Sequence, residues 1–153
     1  MKKEIITRKA VPQDTNAVYE LLKQIASLHR NARPDLFPNI TSKYTQEQVH
    51  ERLSMEESGV FVAVEDKRVV GYIFCDIIEE GIGLTLYIDD LCVDENARRN
   101  GVGKTLINAA REYANEKNCR MLMLNVYEFN ENAVLFYEKY GFKTRSRHME
   151  IEL

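Results

Sequence analysis

Cysteine, proline and long apolar runs are scarce in this 153-residue sequence, and there is no surplus of positive charge. The three cysteines, Cys75, Cys92 and Cys119, are odd in number, and no two have a CxxC or ligand-pair spacing. They read as small buried hydrophobes in a reducing compartment, and no metal is expected. Three prolines, Pro12, Pro34 and Pro38, and the lack of a Gly/Ser-rich linker leave nothing to divide the chain, so one domain over residues 1–153 is expected. No window approaches the roughly 18 apolar residues of a membrane span. The opening MKKEIITRK starts basic with no apolar run behind it, unlike a signal peptide. A cytoplasmic protein with no membrane partner is the expectation. With 21 Lys+Arg against 24 Asp+Glu the net charge is −3, which excludes a charge-driven binder of nucleic acid. The 44% apolar and 29% charged residues that remain are ordinary for a globular chain.

Periodicity supplies the elements. Ile5–Arg8 is β-branched and reads as a strand. Pro12 suits a first helical turn, and Val18, Leu21, Leu22, Ile25 and Leu28 recur at helical spacing through Leu28. Asn31–Ile40, with Pro34 and Pro38, reads as a loop. Thr45 and Gln48 form a capping box for a second helix that buries Val49 and Leu53 and ends at Gly59. Val60–Glu65, Val69–Ile78 and Leu84–Val93 read as strands, the last two joined in a hairpin by Glu79-Glu80-Gly81. Val102–Lys117 is an amphipathic helix and Met121–Val126 a short strand. A helix from Asn130 through Lys139 stops at Gly141, and Phe142 opens a last strand. This order predicts an α+β fold, a mixed sheet with helices on both faces.

The stretch Asp94–Thr105, DENARRNGVGKT, joins a strand to a helix. Gly101 and Gly103 permit close approach of backbone to a ligand, and the free N–H groups of the first helical turn point at it. The helix dipole and the charges of Arg98, Arg99 and Lys104 complete a phosphate or pyrophosphate site. GVGKT also looks like the end of a Walker A loop, but Arg98 stands where that motif needs glycine. The strand Met121–Val126 likewise ends without the Asp of a magnesium-binding partner. An NTPase is therefore rejected.

Arg98-Arg99-Asn100-Gly101-Val102-Gly103 has the form [RQ]-x-x-G-x-[GA]. It is followed by Asn130-x-x-Ala133-x-x-Phe136-Tyr137-Glu138-Lys139-x-Gly141-Phe142. The combination resembles the GNAT family of acyl-CoA N-acyltransferases over essentially the whole chain. The resemblance implies a mostly antiparallel sheet with a splayed strand pair and acetyl-CoA as co-substrate. In that family the backbone of Arg98 to Gly103 binds the pyrophosphate, with Lys104 beside it. Amides at Leu91, Cys92 and Val93 would hold the pantetheine arm, and Asn130 matches a position that hydrogen-bonds it; Asn130 also suits a plain helix cap.

The implied reaction removes a proton from an acceptor amine and gives one to the departing thiolate. Tyr137 occupies the family's tyrosine position as the acid and also lines the arm; a core aromatic is the alternative. Tyr140 lacks the motif position and reads as structural. Tyr87-Ile88-Asp89-Asp90 resembles the Y-[FIL]-[ED]-D segment of the polyamine and diamine branch, which lands the base on Asp89, directly or through water. Asp89 as a binder of a cationic acceptor is the alternative. Asp89 and Asp90 are consecutive, so a regular strand turns them to opposite faces, and a bulge would change which faces the cleft. A backbone N–H near Leu91 suits the oxyanion.

His29, His50 and His148 show no metal spacing, and His29 borders the Asn31–Ile40 loop. Val69–Ala97 holds seven acids and no Lys or Arg, a pattern suited to a small cationic amine. A protein N-terminus or lysine is the second acceptor class. A non-catalytic acyl-CoA sensor is the rival outside enzymes. A homodimer is common in the family.

Overall fold

The computed structural model describes residues 3–153; Met1 and Lys2, which begin the opening basic stretch and the expected domain, lie outside the described residues. Five strands form one sheet in the order β1-β2-β3-β4-β5: β1 Ile5–Lys9, β2 Val60–Glu65, β3 Arg68–Glu80, β4 Gly83–Val93 and β5 Cys119–Leu124. The pairs are antiparallel except β4 with β5, which is parallel. That exception follows from the helix between them, because parallel neighbours need a long crossover. The helices are α1 Thr15–Ala32, α2 Gln46–Leu53, α3 Val102–Glu116 and α4 Glu131–Tyr140.

The amphipathic patterns place the helices. In α1 and α2, Val18, Leu21, Leu22, Val49 and Leu53 pack on Val60, Val62, Tyr72, Phe74 and Cys92. On the opposite face α3 sets Val102, Leu106, Ile107 and Ala110 against Ile73, Cys75, Leu86 and Ile88. Phe136 and Tyr137 of α4 pack half-buried on that side, and α4 has no fully buried residue. Cys75 and Cys92 are free and buried, and burial pushes both thiols up to about 12; Cys119 is free and half-buried.

The capping box of α2 forms as expected: Gln48 N donates to Thr45 Oγ1 at 3.1 Å, and Thr45 N donates to Gln48 Oε1 at 2.9 Å. Several boundaries differ. Pro12 opens a short 3-10 turn before α1, which then runs past Leu28 into the expected loop as far as Ala32. Helix α2 ends at Leu53 rather than Gly59. Gly59 instead serves the start of β2: at φ +70° a Cβ there would lie 2.3 Å from the Cys75 carbonyl oxygen. Gly141 ends α4 at φ +125°, as expected. Residues 143–153, expected as a strand from Phe142, are exposed and form no sheet pairing. Among the described residues no strand pairs with them.

Two irregularities build the site. Phe74 pairs with Asp90 and Cys75 with Ile88, so Asp89 is an extra residue, a bulge in β4. The β4–β5 pairing stops at Ile88 opposite Leu124, while β4 continues to Val93 along β3. The strands thus part beyond Ile88 and leave the outer side of Asp89–Val93 open.

Candidate active site

The glycine loop leads from that opening into α3. Asp94 holds the turn: its carboxylate accepts from Asn96 N at 3.1 Å and pairs with Arg68. Arg99 and Gly101 both adopt positive φ, 72° and 80°. Gly101 occupies the N-cap position and gives α3 no side-chain cap. The first helical bond is Thr105 N to Gly101 O at 3.1 Å, so the N–H groups of Val102, Gly103 and Lys104 have no helical acceptor. A Cβ on Gly101 would meet nothing within 4 Å, which leaves clear space before those donors. Asn100, Arg99 and Lys104 are exposed around it, and Arg98 is turned back with Nε 3.3 Å from Val93 O. The residues fit an oxyanion group such as a pyrophosphate. Val102 contributes backbone alone, since its side chain is buried. Gly103 has a second reason to be glycine: a Cβ there would lie 2.9 Å from Phe136 Cζ, so its smallness lets α4 approach α3.

In the opened stretch of β4 the backbone alternates. Asp94 N donates to Val70 O, which fixes the parity of the strand. By that alternation Cys92 also faces β3, while the amides of Leu91 and Val93 face the open split. The Cys92 thiol is directed elsewhere, at Leu21 O, 3.5 Å away.

The bulge brings both aspartates to the α1–α2 face. Asp89 accepts from the Tyr44 hydroxyl, and Lys43 Nζ lies 3.1 Å from its Oδ1 and 2.9 Å from its backbone oxygen. Asp90 accepts from the Tyr72 hydroxyl at 2.9 Å. Burial pushes the Asp90 carboxyl up to about 6, against the pull of Lys43 and of the Tyr72 hydroxyl. Lys43 and Tyr44 belong to the candidate site and went unnamed in the sequence reading, which weighed Asp90 against Asp89 for the cleft but named Asp89 alone. Neither Lys43 nor Tyr44 carries a motif that would have singled it out.

Tyr137 sits on α4 beside Phe136 and Phe142, with ring centroids 5.4 and 5.7 Å away. Burial, and then the charge of Asp90, push its phenol well up, so it stays protonated at neutral pH. Asn130 begins α4 without using its side chain as a cap, which leaves the amide free for another partner. Tyr140 donates to Asn108 Oδ1 at 2.6 Å and ties α4 to α3, a structural role. His29 stacks on Phe37 at 5.3 Å and meets Tyr127 and Phe129 edge-on at 5.6 and 5.7 Å. Burial lowers its pKa, so it is neutral at pH 7. His50 is 3.5 Å from Thr15 Oγ1, and His148 is exposed.

Four of the seven acids are paired with bases. Asp76 pairs with Arg52, Asp89 with Lys43, Asp94 with Arg68 and Glu80 with Arg145. All four bases lie outside Val69–Ala97, so the window shows a surplus that the fold neutralises in part. Among the described residues no helix is long and apolar enough to cross a membrane.

Residues 21–142 match the acetyltransferase (GNAT) family. The BH1408 protein of Bacillus halodurans, solved as a tetramutant, superposes with a TM-score of 0.89 at 29% identity, covering 97% of this chain and 99% of that one. An uncharacterized N-acetyltransferase of Methanocaldococcus jannaschii is 33% identical over 98 residues, 61% of this chain and 42% of the relative. The thialysine N-epsilon-acetyltransferase of Sus scrofa is 31% identical over 74 residues, 48% of this chain and 44% of the relative. The chain thus spans less than half the length of these two curated relatives.

Proposed function

The chain belongs to the acetyltransferase (GNAT) family, and on that premise we propose that it transfers an acetyl group from acetyl-CoA to a primary amine, a small cationic one first. The observation that carries this reading is the opening beyond Ile88, which runs directly into the uncapped N-terminus of α3. The amides of Val102, Gly103 and Lys104, with Asn100, Arg98 and Arg99, would hold the pyrophosphate. Leu91 and Val93 N–H groups and the free Asn130 amide would hold the pantetheine arm.

Acetyl-CoA supplies an activated acyl thioester; the chain's residues orient the amine and handle protons. Lys43 shows how Asp89 would receive the acceptor: a primary ammonium already lies on its carboxylate and its carbonyl oxygen. An acceptor ammonium would take that place. A base works best when its pKa lies near the working pH, and Asp90 at about 6 meets that condition. Asp89 thus binds the cation, and Asp90 takes the proton, directly or through water. Tyr137 donates its hydroxyl proton toward the departing sulfur. Its raised pKa does not oppose this, because the same apolar surroundings raise the pKa of the thiol. The aromatic cluster of His29, Phe37, Tyr127 and Phe129 gives the acceptor a flat wall. The thialysine enzyme's amine substrate is in keeping with this reading.

A protein lysine is the second acceptor class, favoured by the same observation, since the group on Asp89 is itself a lysine side chain. The test is thiol release from acetyl-CoA against a panel of polyamines, amino compounds and lysine peptides. Turnover highest with a small amine supports the first reading, and turnover confined to peptides supports the second. Tight acetyl-CoA binding with no turnover of any amine would make the protein a sensor.

A further inference from the structure

Lys43 is set apart from the other lysines by where its ammonium goes. Lys3, Lys23 and Lys117 pair with Asp66, Glu20 and Glu57, all exposed acids, and Lys9 reaches the Glu56 carbonyl oxygen. Lys43 instead enters the opened stretch of β4, with Nζ 3.1 Å from Asp89 Oδ1 and 2.9 Å from the Asp89 backbone oxygen. Among the described residues no other lysine donates to that stretch.

The chain on both sides of Lys43 is fastened. Tyr44 packs its ring on Phe74 with centroids 5.8 Å apart and donates its hydroxyl to the same Asp89 carboxylate. Ser42 donates its hydroxyl to the Tyr44 carbonyl oxygen at 2.6 Å, and Arg30 donates to the Ile40 carbonyl oxygen. The Lys43 ammonium stands 5.8 Å from the Tyr44 ring centroid. Burial, and then the charge of Lys43, lower the pKa of His29, which sets the ammonium beside the aromatic wall as well. The Lys43 side chain is still 46% exposed, so its nitrogen is not walled off by these contacts.

A primary amine held on Asp89, with Asp90 the next residue, stands where the acceptor would stand. We propose that Lys43 is the chain's own first acceptor: its Nζ takes one acetyl group from acetyl-CoA, and this modification clears Asp89 for free amines. The modification rests on the acetyl-transfer reading above. An amide bond forms between Nζ and the acetyl carbon as the carbon–sulfur bond breaks. The nitrogen gives up two protons. One goes to Asp90 and on to solvent, and the other replaces the proton that Tyr137 gives to the sulfur. The products are N-acetyl-Lys43, free CoA thiol and one proton. A tethered amine is favoured over a dissolved one because it loses no further entropy of association. Acetylation removes the charge and with it the ion pair, so a cationic amine then meets Asp89 without a competitor.

The test starts from protein stripped by a lysine deacetylase and incubated with acetyl-CoA but no amine. Intact mass and peptide mapping should find one acetyl group per chain, on Lys43, with a rate constant independent of protein concentration. Asp90→Asn and Tyr137→Phe should each slow the modification by about a hundredfold. Calorimetry without acetyl-CoA should find a cationic amine bound about fivefold more tightly by the acetylated protein than by the stripped one. Acetyl groups spread evenly over the exposed lysines, a rate unchanged in both variants, a rate constant that rises with protein concentration, or an unchanged amine affinity would each overturn the proposal. Thiol release with a free amine while Lys43 stays unmodified overturns it and leaves the acetyl-transfer reading standing. No transfer to any amine or to Lys43 overturns both.

Discussion

Replacing Lys43 with alanine separates two roles of Asp89. In the structure the Lys43 ammonium occupies Asp89 at 3.1 Å, with the lysine side chain 46% exposed and the aspartate 14%. At that distance, with an effective dielectric constant of about 20, the bare attraction is roughly 5 kcal/mol. Desolvation and the ordering of a long side chain cut the net worth of such a half-exposed pair to about 1 kcal/mol. If an acceptor ammonium must displace Lys43, Lys43→Ala removes that competitor. Since about 1.4 kcal/mol is tenfold, KM for a cationic amine should fall about fivefold with kcat little changed. Asp89→Asn should act oppositely, raising KM for cationic amines and sparing neutral ones. The assay is steady-state thiol release at saturating acetyl-CoA, varying the amine. A KM that rises in Lys43→Ala would refute the reasoning and would make Lys43 part of the acceptor site instead of a stand-in for the acceptor.

Tyr137→Phe should lower kcat by about a hundredfold and leave acetyl-CoA affinity unchanged by calorimetry, since a general acid is worth at least that much; unchanged turnover removes Tyr137 from the proton path. Gly101→Glu sets a carboxylate before the α3 amides and strains a φ of +80°, so acetyl-CoA affinity should fall at least about a hundredfold in a thermal-shift titration. Surviving affinity would move the phosphate site elsewhere. Asp90→Asn removes a carboxyl whose folded pKa, about 6, stands above its ordinary 3.8. The folded wild type keeps that proton where the unfolded chain has released it, so wild-type stability should fall as pH rises from about 4 to 6 and then level. The variant should lack this slope in urea unfolding at stepped pH.

What could be read in the sequence follows from what is local. The capping box of α2, the hairpin of β3 and β4, the helix stop at Gly141 and the strand–loop–helix around Gly101 are each set by a few neighbouring residues, and each is formed as expected. Where the reading went astray, the deciding partner was distant. Whether Asp89 and Asp90 share a face is left open in the sequence, because it depends on a bulge, and a bulge is a mismatch with β3, invisible in β4 by itself. Glycine at 103 looked like a ligand position alone, and Phe136 thirty-three residues on gives it a packing reason too. The acids of Val69–Ala97 looked like a lure for a cation until four bases from outside that window met them. With four of the seven acids paired, the proposed acceptor's attraction rests less on a diffuse negative face. On the proposed reading it comes from displacing one particular ammonium, that of Lys43, from one particular carboxylate, so selectivity should follow the shape and spacing of the amine more than its total charge. Polyamines of equal charge and unequal length should differ in KM, and raised salt should shift them together.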